Sequence, residues 1–206
     1  MMNDFLKHLF PKVTLEKNLR FTYTFCLGGL AFTAFLLMIV SGTLLLFYYQ
    51  PTPERAYQSI LFLEASVRGG RMVRSIHYLS SHAMLLLILL HTLRVIFTGA
   101  YHRPRQLNWL IGVALLFLTV FAGYTGYLLP MDQLAFWATK TGSELLSTVP
   151  FGEGIKSLLA PDGVGEPLSL LRFYALHIAI IPLSIAALSA LHFYRVRKNR
   201  GVLPYL

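Results

Sequence analysis

Four histidines fall at two intervals that suit a pair of metal-binding groups. His77 and His91 are 14 residues apart in one apolar run, and His177 and His192 are 15 apart in another. At 3.6 residues per turn, 14 residues is close to four turns, so His77 and His91 share a helix face about 21 Å apart along its axis. Fifteen residues overshoot by roughly 60°, which a tilt or a kink at Pro182 is expected to absorb. Imidazoles facing each other across helices can fill both axial positions of a haem iron. Filling both leaves no open position for a substrate, which suits electron transfer. A lone histidine in an apolar helix reads as a packing hydrogen-bonder, but two matched pairs do not. An ionisable group in lipid is costly and usually functional. The spacing therefore predicts two haems, one held by His77 with His177 and one by His91 with His192.

The other histidines stand apart. His82 is five residues from His77 and nine from His91, well off their common face, and reads as a packing or pocket residue. His8 and His102 are interfacial. Glycine repeats the haem interval on two further runs, since Gly28 and Gly42 are 14 apart, as are Gly112 and Gly126. A missing side chain lets a flat macrocycle approach, although small residues also serve helix packing in membranes. The same interval on both runs favours the macrocycle. Competing chemistries find little material. The apolar runs hold no carboxylate for a proton relay, and no HExxH occurs for a zinc hydrolase. The single cysteine, Cys26, excludes an internal disulfide framework and a paired-cysteine metal site.

Four long elements must position these residues. Residues 21–49, 75–93, 107–131 and 173–194 contain no Asp, Glu, Lys or Arg. A helix crosses a bilayer with about 20 mostly apolar residues. The chain is 13% charged, about half the share of a soluble domain, so a soluble bundle would have too little polar surface. The expected fold is an all-α membrane protein in one domain, 1–206. Its four transmembrane helices, approximately 21–49, 72–98, 107–130 and 171–196, form a haem-binding bundle. The first 20 residues lack the continuous apolar core of a cleavable signal and read as an interfacial segment. The connection after the first span carries Pro51, Pro53, Gly69 and Gly70. That between the third and fourth is too long to be idle, and short surface helices are expected at 134–146 and 152–159.

Charge sets the orientation. Residues 1–20, 94–106 and 195–206 carry 11 Lys and Arg against two acids, whereas 50–74 and 132–172 carry seven of each sign. The net charge of +9 thus sits on one face, which the positive-inside rule assigns to the cytoplasm. Both termini are expected there, with the long connections outside. Lipid is the expected surrounding, and no nucleic-acid partner is expected.

Local motifs accompany the spacing. They are FCLGG at Phe25 to Gly29, RSIH at Arg74 to His77, HTLRV at His91 to Val95 and GYLLPMDQ at Gly126 to Gln133. RFYALH at Arg172 to His177 and HFYRVRK at His192 to Lys198 complete the set. Over nearly its whole length the chain resembles the N-terminal half of cytochrome b, and most closely the short, separate form called cytochrome b6. The 15-residue interval between His177 and His192 favours that form over the mitochondrial one, which has one residue fewer.

The resemblance implies two haem b groups in an electron-transfer subunit of a quinol–cytochrome c or plastocyanin oxidoreductase. Quinol is oxidised outside and quinone reduced on the cytoplasmic side, with the low-potential haem at His77/His177 and the high-potential one at His91/His192. Arg74 and Arg94 match the family's haem-propionate partners. Cys26 matches the cysteine that attaches a third haem through one thioether, and Arg197 and Lys198 lie where cations would meet its propionates. Met131 and Tyr78 depart from the usual Trp and Arg near the outer haem and quinol region. The glutamate-bearing PEWY motif is absent, so the C-terminal half of cytochrome b is expected on a separate subunit. A Rieske iron–sulfur protein and a c-type cytochrome are the other implied partners in a dimeric complex. A prokaryotic cell membrane is expected rather than a thylakoid. A di-haem, quinone-reactive membrane anchor of another respiratory oxidoreductase is the second reading, but such anchors lack the combined glycine, GYLLP and 14/15 pattern.

Overall fold

The computed structural model describes residues 25–198. The expected interfacial segment at 1–20, the start of the first expected span and the last eight residues lie outside the described residues. Among those described, every regular element is helical: α1 Leu27–Leu46, α2 Ala56–Ser66, α3 Gly70–Phe97, α4 Gln106–Leu128, α5 Gln133–Ser147, α6 Gly152–Leu159, α7 Pro167–Ala175, a π segment Leu176–Ile180, and α8 Ile181–Lys198. Helices α1, α3 and α4, and the run Pro167–Lys198, are long and apolar enough to cross a membrane. Their exposed side chains are those of a lipid-facing surface, with Phe117 and Leu183 each 69% exposed. Backbone groups in lipid must be satisfied internally, which leaves helices as the means of spanning here.

The elements end where the chain chemistry requires. Gly69, at φ 80°, turns the chain between α2 and α3. Gly70 follows because any Cβ there would run into the Leu63 carbonyl. The Asp132 side chain caps α5 by accepting from Ala135 N–H at 2.8 Å, filling one of the orphan donors of a helix start. Pro167 opens α7, and Asp162 accepts from the amides of Leu168 and Ser169 at 2.8 and 3.0 Å. This cap explains why the fourth span starts at 167 rather than 171. The surface helices expected at 134–146 and 152–159 are α5 and α6. Helix α2 was not anticipated, because Pro51 and Pro53 dominate the reading of that connection.

The fourth span corrects one expectation. Its extra residue is taken up by the π segment, where Ile181 N–H bonds back to the Leu176 carbonyl, and not by tilt or a Pro182 kink alone. A π turn inserts one residue into the helical path, so fifteen residues acquire the phase of fourteen. Pro182 follows at once, and without an N–H it cannot return the ordinary bond to the Ile178 carbonyl.

The described chain forms two compact units, and each long span contributes a stretch to both. The His177 unit comprises residues 36–81 and 120–183. Its core is Ala56, Leu128, Leu170 and Phe173, with Tyr49, Tyr124 and Met131 against it. Tyr49 Oη donates to the Leu129 carbonyl at 2.6 Å, and Tyr124 Oη to the Thr139 carbonyl at 3.1 Å. The second bond fastens the small buried face of α5 (Ala135, Thr139, Ser143) to α4. Lys156 pairs with Glu144 at 2.9 Å, and Arg172 donates to the Leu158 carbonyl, so α5, α6 and α7 are tied in series. The His192 unit comprises the described residues up to 35, with 82–119 and 184–198. It buries Ala31, Ala34, Met84, Ile111 and Ile185, and Phe32 meets Phe193 edge-on at 5.1 Å. Between spans in lipid such contacts act through close packing rather than transfer from water.

Candidate haem centres

Each unit brings one histidine pair together. In the His177 unit the rings of His77 and His177 have centroids 6.2 Å apart, with planes at 72°. In the His192 unit those of His91 and His192 are 6.5 Å apart, at 76°. Metal–imidazole bonds are about 2.0–2.1 Å long, and the nitrogens of a ring built from roughly 1.33 Å bonds lie about 1.1 Å from its centre. Two rings bound in line to one ion therefore have centroids about 6.3 Å apart. Both pairs stand at that separation. His82 is exposed on α3 and joins neither.

Hydrogen bonding in the His177 unit fixes which nitrogen is available. His77 Nδ1 lies 3.0 Å from Ser41 Oγ. The serine's own hydrogen is directed to the Leu37 carbonyl at 2.6 Å, so towards His77 the oxygen accepts and Nδ1 carries the proton. His177 Nδ1 is 3.0 Å from the Ala122 carbonyl and 3.3 Å from Thr125 Oγ1. The carbonyl can only accept, and the Thr125 hydrogen goes to the Phe121 carbonyl at 3.0 Å, so this Nδ1 is protonated too. Each ring is left with Nε2 as its free lone pair. Such outer partners orient metal-binding histidines and raise their basicity.

The glycines stand against the imidazoles. A Cβ at Gly42 would lie 3.1 Å from the His77 ring, one at Gly28 3.3 Å from His91, and one at Gly112 3.4 Å from His192. At Gly126 it would overlap the His177 ring. Each of the four glycines thus backs one of the four histidines.

The His192 unit also contains a cavity of about 340 Å³, lined in part by Cys26, His91, Arg94, Arg105, Asn108 and His192. Asn108 Oδ1 is buried there without a hydrogen-bond partner. His192 Nδ1, buried, faces the Asn108 backbone carbonyl. Cys26 is exposed at the start of α1 with φ 50°. Arg94 lines the cavity, whereas Arg197 and Lys198 are exposed in the last turn of α8, with Lys198 Nζ 5.9 Å from the Tyr194 ring. The second cavity cation is Arg105, which the sequence reading missed. Arg74 is paired with Glu64 of α2 in the His177 unit. Tyr78 is exposed, and Met131, at φ 52°, packs on the core of that unit. Also missed were Ser41 and Thr125, although a signal was present: each directly precedes one of the spaced glycines, Gly42 and Gly126.

The donor set suits haem. Two imidazoles at bridging distance, their Nδ1 atoms turned away in one unit, lie beside guanidinium groups able to pair with carboxylates.

Comparison with known proteins agrees with this geometry. The family described as Cytochrome b/b6/petB matches residues 13–200. A menaquinol:cytochrome c reductase cytochrome b subunit of Bacillus subtilis is 38% identical over 202 residues, covering 97% of this chain and 90% of that protein. Cytochrome b6 of Heliomicrobium gestii is 41% identical over 195 residues, covering 94% and 89%. A chain in a solved structure titled Hyperthermophilic respiratory Complex III superposes with TM-score 0.85 at 28% identity, over 98% of this chain. This chain spans about half of that one, 53% of its length.

Proposed function

The chain belongs to the cytochrome b/b6 family, and from that premise we propose that it is the di-haem electron-transfer subunit of a quinol–cytochrome c or plastocyanin oxidoreductase. In this reading it carries electrons from quinol at the outer side of a prokaryotic cell membrane towards a quinone-reducing site on the cytoplasmic side. The supporting observation is the pair of histidine couples, each at the separation one metal ion requires. A haem bound by two imidazoles supplies reversible one-electron transfer with no position open to substrate.

His77 with His177, and His91 with His192, would hold the two haems through their imidazole nitrogens. Ser41, Ala122 and Thr125 hold the proton on Nδ1 and so present Nε2 to the metal. Gly28, Gly42, Gly112 and Gly126 let the rings sit against the helix backbones. Arg74, Arg94 and Arg105 are the candidates for propionates, Arg74 while also engaged by Glu64. A third haem, tethered through one thioether at Cys26, is part of this proposal and is supported by the cavity that Cys26 shares with Arg94 and Arg105. The excess of Lys and Arg in the terminal segments and the connection between the second and third spans supports cytoplasmic termini. The name of the Bacillus relative supports a menaquinol donor and a cytochrome c acceptor. The proposed partners are a subunit carrying the C-terminal half of cytochrome b, a Rieske protein and a c-type cytochrome, in a dimeric complex.

The test is a reduced-minus-oxidised spectrum of the purified complex. His77→Ala and His177→Ala should each delete one and the same b-type component, and His91→Ala and His192→Ala the other. If His77→Ala and His192→Ala removed a common band, the pairing would be wrong.

A further inference from the structure

The two centres differ in what stands behind their imidazoles. In the His177 unit the residues before the spaced glycines are Ser41 and Thr125, and both hydroxyls accept from a ligand Nδ1–H. In the His192 unit the residues before Gly28 and Gly112 are Leu27 and Ile111, whose side chains accept nothing. His192 Nδ1 correspondingly faces the Asn108 backbone carbonyl with no hydroxyl bonded to it.

This difference bears on redox chemistry. An imidazole whose Nδ1–H is bonded to an acceptor is a stronger base. A more basic ligand donates more charge to iron and favours the oxidised ion. Both hydroxyls also donate to carbonyls, Ser41 to Leu37 and Thr125 to Phe121, which pins their lone pairs towards the rings and strengthens them as acceptors. The surroundings are buried, with Ser41 at 4% and Thr125 at 0% exposure, so water does not dilute the effect.

We propose that Ser41 and Thr125 are positioning residues that lower the reduction potential of the haem held by His77 and His177 relative to the other centre. The inference rests on the reading that His77 and His177 hold a haem.

The test is an equilibrium redox titration of the purified complex, with the component lost in His77→Ala followed by its absorbance. Ser41→Ala removes the hydroxyl acceptor, leaving the Met38 carbonyl, and should shift the reduced-to-oxidised ratio of that component upward by about tenfold at a given potential, which for one electron is about 59 mV. Ser41→Thr keeps the hydroxyl and should restore the wild-type value, while the second component stays in place throughout. Thr125→Val, acting through His177, should shift the same component in the same direction. It also decides the matter should Ser41→Ala fail to assemble. An unmoved potential, an equal shift of both components, or a Ser41→Thr variant that behaves like Ser41→Ala would overturn the inference. Failure of the underlying reading looks different: no haem component would then depend on His77 at all.

Discussion

The His177 unit is hydrogen-bonded around its histidines, whereas the His192 unit opens into a cavity beside its own. In the first, both Nδ1 atoms have acceptors and one glycine leaves no slack behind its ring. Four short helices, α2, α5, α6 and α7, belong to that unit alone. In the second, the glycine contacts are near ordinary van der Waals distance, no hydroxyl bonds His192 Nδ1, and a cavity lined by a thiol and two guanidinium groups lies alongside. The same pair of ligands is thus built twice with different tolerances. One pair is held by hydrogen bonds from its protein walls, and the other borders a cavity.

The sharpest way to break this contrast is to fill the glycines. Gly126→Ala places a methyl group inside the His177 ring, and overpacking of this kind typically costs about 1–3 kcal/mol. The haem component that depends on His77 should be lost or reduced to a small fraction in pyridine-haemochrome and spectral assays. Gly112→Ala, whose Cβ would sit 3.4 Å from His192, should leave the other component present. If the two alanine variants behaved alike, the difference in slack would carry no weight.

The cavity side of the comparison is sharpened by Cys26→Ser. The wild-type chain should retain haem peroxidase stain on a denaturing gel, and the variant should lose it while both b-type components persist. An unstained wild-type band, with the Cys26 peptide at its unmodified mass, would leave that cavity without a covalent occupant.

The smallest effect expected lies at the edge of the His177 unit. The hydroxyl of Ser169, followed by the amides of Leu168 and Ser169, holds the Asp162 carboxyl below its ordinary value of 3.8. A depressed carboxylate contributes stability that is present above the unfolded value and lost as pH falls through the folded one. Protection of the Leu168 and Ser169 amides from hydrogen exchange should therefore be higher in wild type than in Asp162→Asn at neutral pH. The gap should narrow in acid below 3.8. A gap that did not change with pH would remove the carboxylate from the account.

Much of this was legible in the sequence, for identifiable reasons. A histidine in an apolar helix is rare enough that two pairs in helical register stand out, and the four spans follow from run length alone. The glycine interval was legible as a site signal, but the imidazole against each glycine was not, because spacing does not tell which side chain packs there. Ser41 and Thr125 were hidden by an ordinary role. A hydroxyl in a membrane helix usually bonds its own preceding turn, as both do, and the second bond to a histidine depends on how helices pack. Arg105 was hidden at the cavity for the same kind of reason, since position in the sequence does not decide which cation faces it. The π segment was illegible because tilt, a proline kink and an inserted residue all correct the same 60° overshoot.

That segment changes what an interval between ligands measures. If the extra residue of the fourth span is stored in the winding of Leu176–Ile180, a chain one residue shorter there, wound as plain α-helix, would present His177 and His192 with the same phase. The number fifteen is then a property of the path and not of the centres it joins. A π turn of this kind works as a splice in a cable, a place where length can be added or removed while the terminals at either end keep their orientation.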